Sequence, residues 1–211
     1  MIARGKGRPS KNSLPDARDR LISATRELLK TQSPEQMNRI GIAKLAGVDP
    51  GLVRYYFGDK EELLRETAMR MLSELRDRRA QARQDQEPIR DKLSAYVRFL
   101  VEVLHEYPFL HDLLVRQIGR SSKREASELR REFVESPFQE VETLLLNAVA
   151  RGELRAVNPR YFYVAMIGMC SFPMRNRDVM QQVLGRPINV ATAAEYAEFV
   201  ADLLLNGIHA G

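Results

Sequence analysis

Apolar residues recur along this chain at the three- and four-residue spacing of helices, and no stretch sustains two-residue alternation. The pattern predicts an all-α protein of about nine helices. Residues 16–31 place Leu21, Ile22, Ala24, Thr25, Leu28 and Leu29 on one face, and Thr31-Gln32-Ser33-Pro34 ends that helix. Short helices follow at about 39–46 and 50–57. A long one runs from Lys60 to about Arg83 with Leu63, Leu64, Ala68, Met71, Leu72 and Leu75 inward. Pro88 opens a fifth helix, and Tyr107-Pro108 a sixth that Gly119-Arg120-Ser121-Ser122 breaks. Lys123 to Arg151 is helical, with a kink or break expected at Ser136-Pro137, where proline removes a backbone donor. Asn158-Pro159 starts an eighth helix to about Met180, and Asn189 caps a ninth over 190–207.

Within that layout Ile42 to Leu64, IAKLAGVDPGLVRYYFGDKEELL, holds the densest set of start and stop signals. Gly47 permits the positive φ of a tight turn. Asp49 sits at an N-cap with Pro50 as the first helical residue. Val53 and Phe57 point inward, leaving Arg54, Tyr55 and Tyr56 to point elsewhere. Gly58 ends the helix, Asp59 caps the next, and Glu61 and Glu62 favour its positive end. A helix too short to stand alone, with an arginine and two tyrosines outward, suits the DNA major groove. This is helix-turn-helix geometry.

At these residues the chain resembles the tetracycline-repressor (TetR/AcrR) family of bacterial transcription regulators. Ile42, Ala43, Ala46, Gly47, Val48, Gly51, Val53, Tyr56, Phe57, Lys60 and Leu63 match its motif. Asp49 stands for the usual Ser, Arg54 for the commonest Tyr and Asp59 for Ser or Thr, and the two aspartates keep a capping oxygen. Met37-Asn38-Arg39-Ile40-Gly41 matches the family's Thr-rich helix start less well. The resemblance implies a ligand-responsive repressor that binds a palindromic operator as a dimer. It places the DNA contacts on Asn38, Lys44, Asp49, Pro50, Gly51, Leu52, Arg54, Tyr55, Tyr56 and Lys60. Arg54 can read a guanine edge, whereas tyrosine hydroxyls and Lys60 more often hold phosphates. It also implies three parts: a disordered basic arm (1–14), a DNA-binding head (15–60), and a larger ligand-binding and dimerisation domain (61–211).

Charge sharpens this division. Residues 1–60 hold 12 Lys/Arg against 6 Asp/Glu, a balance of +6, and residues 61–211 hold 21 against 22, a balance of −1. The basic excess lies wholly on the part that would meet phosphates. Arg4, Lys6, Arg8 and Lys11 occur without an intervening acid, either as a solubilising tail or as a minor-groove arm through Arg4 and Arg8. With 44% apolar and 29% charged residues the chain can bury a core and stay in solution. The single Cys170 fits a reducing cytoplasm, with nucleoid association when DNA is bound. No run of roughly 18 apolar residues is present to span a membrane. His105, His111 and His209 lack metal-ligand spacing, no catalytic triad or phosphate loop appears, and no cofactor or metal is expected. Cys170, inside an apolar run, reads as core. Arg76, Arg78, Arg79 and Arg83 read as a solvated face, as do Glu125, Glu128, Glu132 and Glu135 among Arg124, Arg130 and Arg131.

The last two helices are apolar on two sides. In the ninth, Ala193, Ala197, Val200, Ala201 and Leu204 form one face and Tyr196, Phe199 and Leu203 another, with Glu195, Glu198 and Asp202 as a polar stripe. Either both helices are central in one core, or one face meets a second subunit, as the resemblance implies. The inner faces of the middle helices are rich in Leu, Met, Phe and Tyr, so the expected effector is small and apolar or aromatic. Tyr96, Phe99, Met166 and Met169 are its candidate lining. Two other classes stay open: a helical small-molecule-binding protein or enzyme, and a non-specific DNA-organising protein.

Overall fold

The computed structural model describes residues 16–81, 88–120 and 123–208. Arg4, Lys6, Arg8, Lys11, Arg83 and His209 lie outside the described residues. The order is α1 (Ala17–Leu28), α2 (Arg39–Ala46), α3 (Gly51–Phe57), α4 (Lys60–Gln81), α5 (Ile89–Glu106), α6 (Leu110–Arg120), α7 (Lys123–Arg130), a π turn (Arg131–Glu135), α8 (Ser136–Ala150), α9 (Pro159–Arg175), α10 (Arg177–Leu184) and α11 (Val190–Asn206). No strand occurs among the described residues. The all-α expectation holds, and no helix here is long and apolar enough to cross a membrane.

Two breaks differ from the sequence pattern. The expected interruption at Ser136-Pro137 is instead a π turn just upstream, where the Ser136 N–H donates to the carbonyl of Arg131, five residues back. Pro137 has no N–H for the carbonyl of Phe133 and its ring would crowd that carbonyl; the wider turn relieves both problems. The eighth expected helix stops at Arg175 rather than near Met180, and α10 is a separate element. Pro173 weakens its last turn, and the carbonyl of Phe172 accepts from both the backbone N–H (3.1 Å) and the side chain (2.8 Å) of Asn176, which caps the helix there.

The helices pack around two apolar clusters. Leu21, Ile42, Val53, Leu63 and Leu64 are fully buried in the first, which continues through Met71 and Leu72 to Leu110, Leu113 and Leu114 of α6. The boundary expected at residue 60 therefore falls inside one core, with α4 serving both head and body. The second cluster unites α5, α8, α9 and α11 through Leu93, Val97, Leu145, Met166, Ala197 and Val200. Ala193, Ala197 and Ala201 are buried and small, which lets α11 lie close along α5. The alanine-rich face is thus the chain's own core. Glu198 and Asp202 pair with Arg98 and Arg90 of α5, both at 2.9 Å.

Candidate nucleic-acid interface and enclosed cavity

The turn between α2 and α3 is built around Gly47, at φ 63°. Arg20 donates to the carbonyls of Ala46 (2.5 Å) and Gly47 (2.6 Å), and a Cβ on Gly47 would stand 2.7 Å from its Nη2. The positive φ calls for glycine there, and a Cβ would also push the Arg20 guanidinium off these carbonyls. Asn38 caps α2, its Oδ1 accepting from Gly41 N–H (2.9 Å), and Asp49 Oδ1 accepts from Gly51 N–H (2.7 Å) at the head of α3. Helical hydrogen bonding begins at Gly51, one residue after the expected Pro50, although Pro50 already has helical dihedrals.

Val53 and Phe57 anchor α3 inward, so Arg54 and Tyr55 face solvent, Tyr55 being 78% exposed. Tyr56 is half-buried, edge-on to Tyr55 at 5.0 Å, with its hydroxyl 3.3 Å from Asp16. Leu52 packs partly against the core, while Asn38, Lys44, Asp49, Pro50 and Gly51 are exposed. Among the described residues no carboxylate pairs with Arg39, Lys44 or Arg54, and all three stand on this exposed side. Lys60 is placed differently. Its Nζ donates to the carbonyls of Pro34 (3.1 Å) and Met37 (3.0 Å), fastening α4 to the loop before α2. Lys60→Ala is therefore expected to destabilise the head by about 1–3 kcal/mol, because two carbonyls lose a charged donor. A thermal melt that matches wild type would show that the clamp contributes nothing.

The head is also tied to α6. Arg116 pairs with Glu61 through Nη2 (2.8 Å) and Nε (3.2 Å), and with Glu35. Burial opposes ionisation of Glu61, but the Arg116 guanidinium outweighs it and holds that carboxyl below the usual range.

The opposite side of α6 borders a cavity of about 380 Å³ that α4, α5, α9 and the π turn also line. Leu75, Phe99, Leu100, Phe133 and Ile167 are among its apolar lining, and Arg79, Tyr96 and Tyr163 come together on it. Arg79 Nη1 lies 3.4 Å from the Tyr96 hydroxyl and 3.8 Å from Glu140. Of the expected lining, Tyr96 and Phe99 border this cavity. Met166 is fully buried in the second core, and Met169 packs there while its carbonyl accepts from Tyr196 (2.9 Å). The two methionines sit on faces of α9 turned from the cavity, whereas Tyr163, Val164 and Ile167 of the same helix face it.

Arg79 was not legible as a wall residue. Its charge groups it with solvated arginines, yet its side chain is only 13% exposed, unlike those of exposed Arg76 and Arg78. The signal was its spacing, four residues after Leu75 and seven after Leu72 on the same inward face. Glu132 also departs from the expected solvated face, at 12% exposure between Arg76 and Arg131. Cys170 is buried, and burial pushes its thiol up to about 12. Among the described residues no three His, Cys, Asp or Glu side chains come together to hold a metal ion.

A head with this turn, an outward-facing third helix and a cavity in the attached body defines a helix-turn-helix DNA-binding protein. Residues 21–67 match the family model for bacterial regulatory proteins of the tetR family, and residues 86–211 match that for the tetracyclin repressor-like C-terminal domain. The chain belongs to the TetR family, whose members are ligand-responsive DNA-binding transcriptional regulators. It is 34% identical over 84 residues to the HTH-type transcriptional regulator BetI of Rhizobium meliloti, covering 40% of this chain and 41% of that protein. It is 37% identical over 90 residues to BetI of Stenotrophomonas maltophilia, covering 42% and 46%. The chain thus spans under half the length of these curated relatives in each match. In fold it is similar to the ketosteroid transcriptional regulator KstR2 of Mycobacterium tuberculosis (TM-score 0.73, 16% identity, 93% of this chain and 97% of that one). It is also similar to FadR of Bacillus subtilis, solved with stearoyl-CoA (TM-score 0.67, 18% identity, 90% and 99%).

Proposed function

We propose that this chain is a transcriptional repressor, not an enzyme, that binds a palindromic operator in the cytoplasm as a homodimer and releases it when a small apolar effector fills the cavity. The observation that carries this is the outward face of α3, where Arg54 and Tyr55 stand exposed, with Arg39 and Lys44 exposed on the preceding α2. Such a face supplies both base-edge and phosphate donors. The division into a head (15–60) and an effector and dimer domain (61–211) is part of the proposal, with α4 as the shared rod.

A dimer is supported by apolar side chains left uncovered on α9 and α11. Tyr161 is 77%, Phe172 57%, Phe199 63% and Leu203 50% exposed. Exposed aromatic and aliphatic residues gathered on two helices mark an association surface. For the effector, the apolar wall favours an apolar ligand, as does the stearoyl-CoA bound to FadR. Its signal has a short route: α6 borders the cavity through Leu110, His111 and Leu114, and holds the head through Arg116.

The test is selection of a duplex from a random pool, then salt-titrated binding of that duplex and a scrambled one. A palindromic selected site bound at least about 10³-fold more tightly than the scramble supports the reading. Equal affinities would sink it in favour of a DNA-organising protein. Deleting residues 1–11 removes Arg4, Lys6, Arg8 and Lys11 from a chain whose Asp16 touches Tyr56 of α3. The log–log salt slope is expected to flatten by up to about four units. An unchanged slope makes the arm a tail.

A further inference from the structure

We propose that the cavity takes an elongated apolar carboxylic acid whose carboxylate is held by Arg79. This rests on the effector-responsive reading above and specifies its ligand. Arg79 is the cation in a mostly apolar wall, and its Nη2 has no hydrogen-bond or ion-pair partner among the described residues. A charged donor without an acceptor is costly there, and a carboxylate oxygen supplies the acceptor. Its existing partners leave room for one. Glu140 is at 3.8 Å and the Tyr96 hydroxyl at 3.4 Å, both at Nη1, so Nη2 is the donor left for a ligand. A guanidinium N–H of this kind forms a charge-assisted hydrogen bond to a carboxylate oxygen.

The surrounding groups agree with an acid rather than an alcohol or amine. Tyr96 and Tyr163 come together with Arg79, and burial raises both phenols above their ordinary values, so both remain protonated donors. Glu132, which also borders the cavity, is already engaged by Arg76 (3.1 Å) and Arg131 (3.0 Å). His111, also on the wall, is held below the usual imidazole value by burial, so it adds no second cation at neutral pH. The polarity therefore runs one way.

The shape sets the body of the ligand. Tyr96 in the middle of α5 meets Tyr163 near the start of α9, and the carbonyl of His105 in the last turn of α5 accepts from Arg177, just past the end of α9. The two helices thus run side by side. From Tyr96 to Leu104, and from Tyr163 to Ser171, the cavity follows each for about 12 Å. Phe99 and Ile167 lie between. An alkyl chain or a narrow fused-ring skeleton fits such a slot, with its single acid at Arg79. Because Arg79 stands near the end of the same helix that Lys60 fastens to the head, the carboxylate acts directly on the connecting rod.

The experiment is calorimetric titration of the full chain with decanoate, abietate and decan-1-ol, each repeated on Arg79→Gln after its fold is checked by circular dichroism. At least one acid is expected to bind wild type about tenfold or more tightly than the alcohol. Arg79→Gln should abolish that preference while leaving the alcohol within about twofold. Decanoate and abietate tell a straight chain from a ring system. Equal binding of acids and alcohol to wild type, no binding of either acid, or a preference surviving in Arg79→Gln overturns the inference. Duplex release by the alcohol, equal in wild type and variant, would retain the effector-responsive reading while sinking the acid.

Discussion

Val200→Glu is expected to unfold the subunit, whereas Phe199→Glu, one position away, is expected to leave it folded and split the dimer. Val200 is 1% exposed among Val97, Ala197 and Ala201, so a glutamate there is an unpaired buried charge. The cost is about 3 kcal/mol or more, large against the stability of an ordinary domain. Phe199 is 63% exposed, and a charge there is solvated in the single subunit and buried only when two copies meet. Circular dichroism melts should collapse for Val200→Glu and stay near wild type for Phe199→Glu. Light scattering should report half the wild-type mass for Phe199→Glu, with operator affinity lost alongside. A Phe199→Glu protein that remains dimeric would place the seam elsewhere.

Arg54→Ala is expected to weaken operator binding by about 1–3 kcal/mol and to relax preference at one base pair. The side chain is exposed and makes no ion pair among the described residues, so its loss should not move the melting temperature. Lys44→Ala is the comparison: a phosphate donor should weaken all duplexes alike and lower the salt slope by about one. An equal loss for Arg54→Ala on operator and scrambled DNA would remove it from base reading.

The helix-turn-helix could be read from the chain because its geometry depends on local signals. Gly47, Asp49, Gly58 and Asp59 fix turn and caps within a dozen residues, whatever lies elsewhere. The two-faced α11 is a different case. Helical periodicity separates the Ala197 face from the Phe199 face but says nothing of which one α5 covers. That depends on residues about a hundred positions away, such as Arg98 pairing with Glu198. Cavity lining has the same non-local character. Met166 and Ile167 are adjacent and equally apolar, and only the packed neighbours put one in the core and the other on the wall. Arg79 hid behind its charge, although its position in the Leu72, Leu75 series marked it as inward.

The π turn has a mechanical consequence. Three successive residues of an α-helix fan out over about 200°, too wide to share one wall. Yet Glu132, Phe133 and Val134 all border the cavity, because the turn holds a residue that α-helical winding would expel. Taking up that residue would rotate one flanking helix by about 100°. Downstream, α8 is pinned by Val141, Leu145 and Ala148, whereas α7 is anchored only by Ala126 and Leu129 among its described side chains. The chain thus keeps one residue of slack in the wall of the cavity, on the side of α7, the helix with fewer buried side chains to hold its rotation.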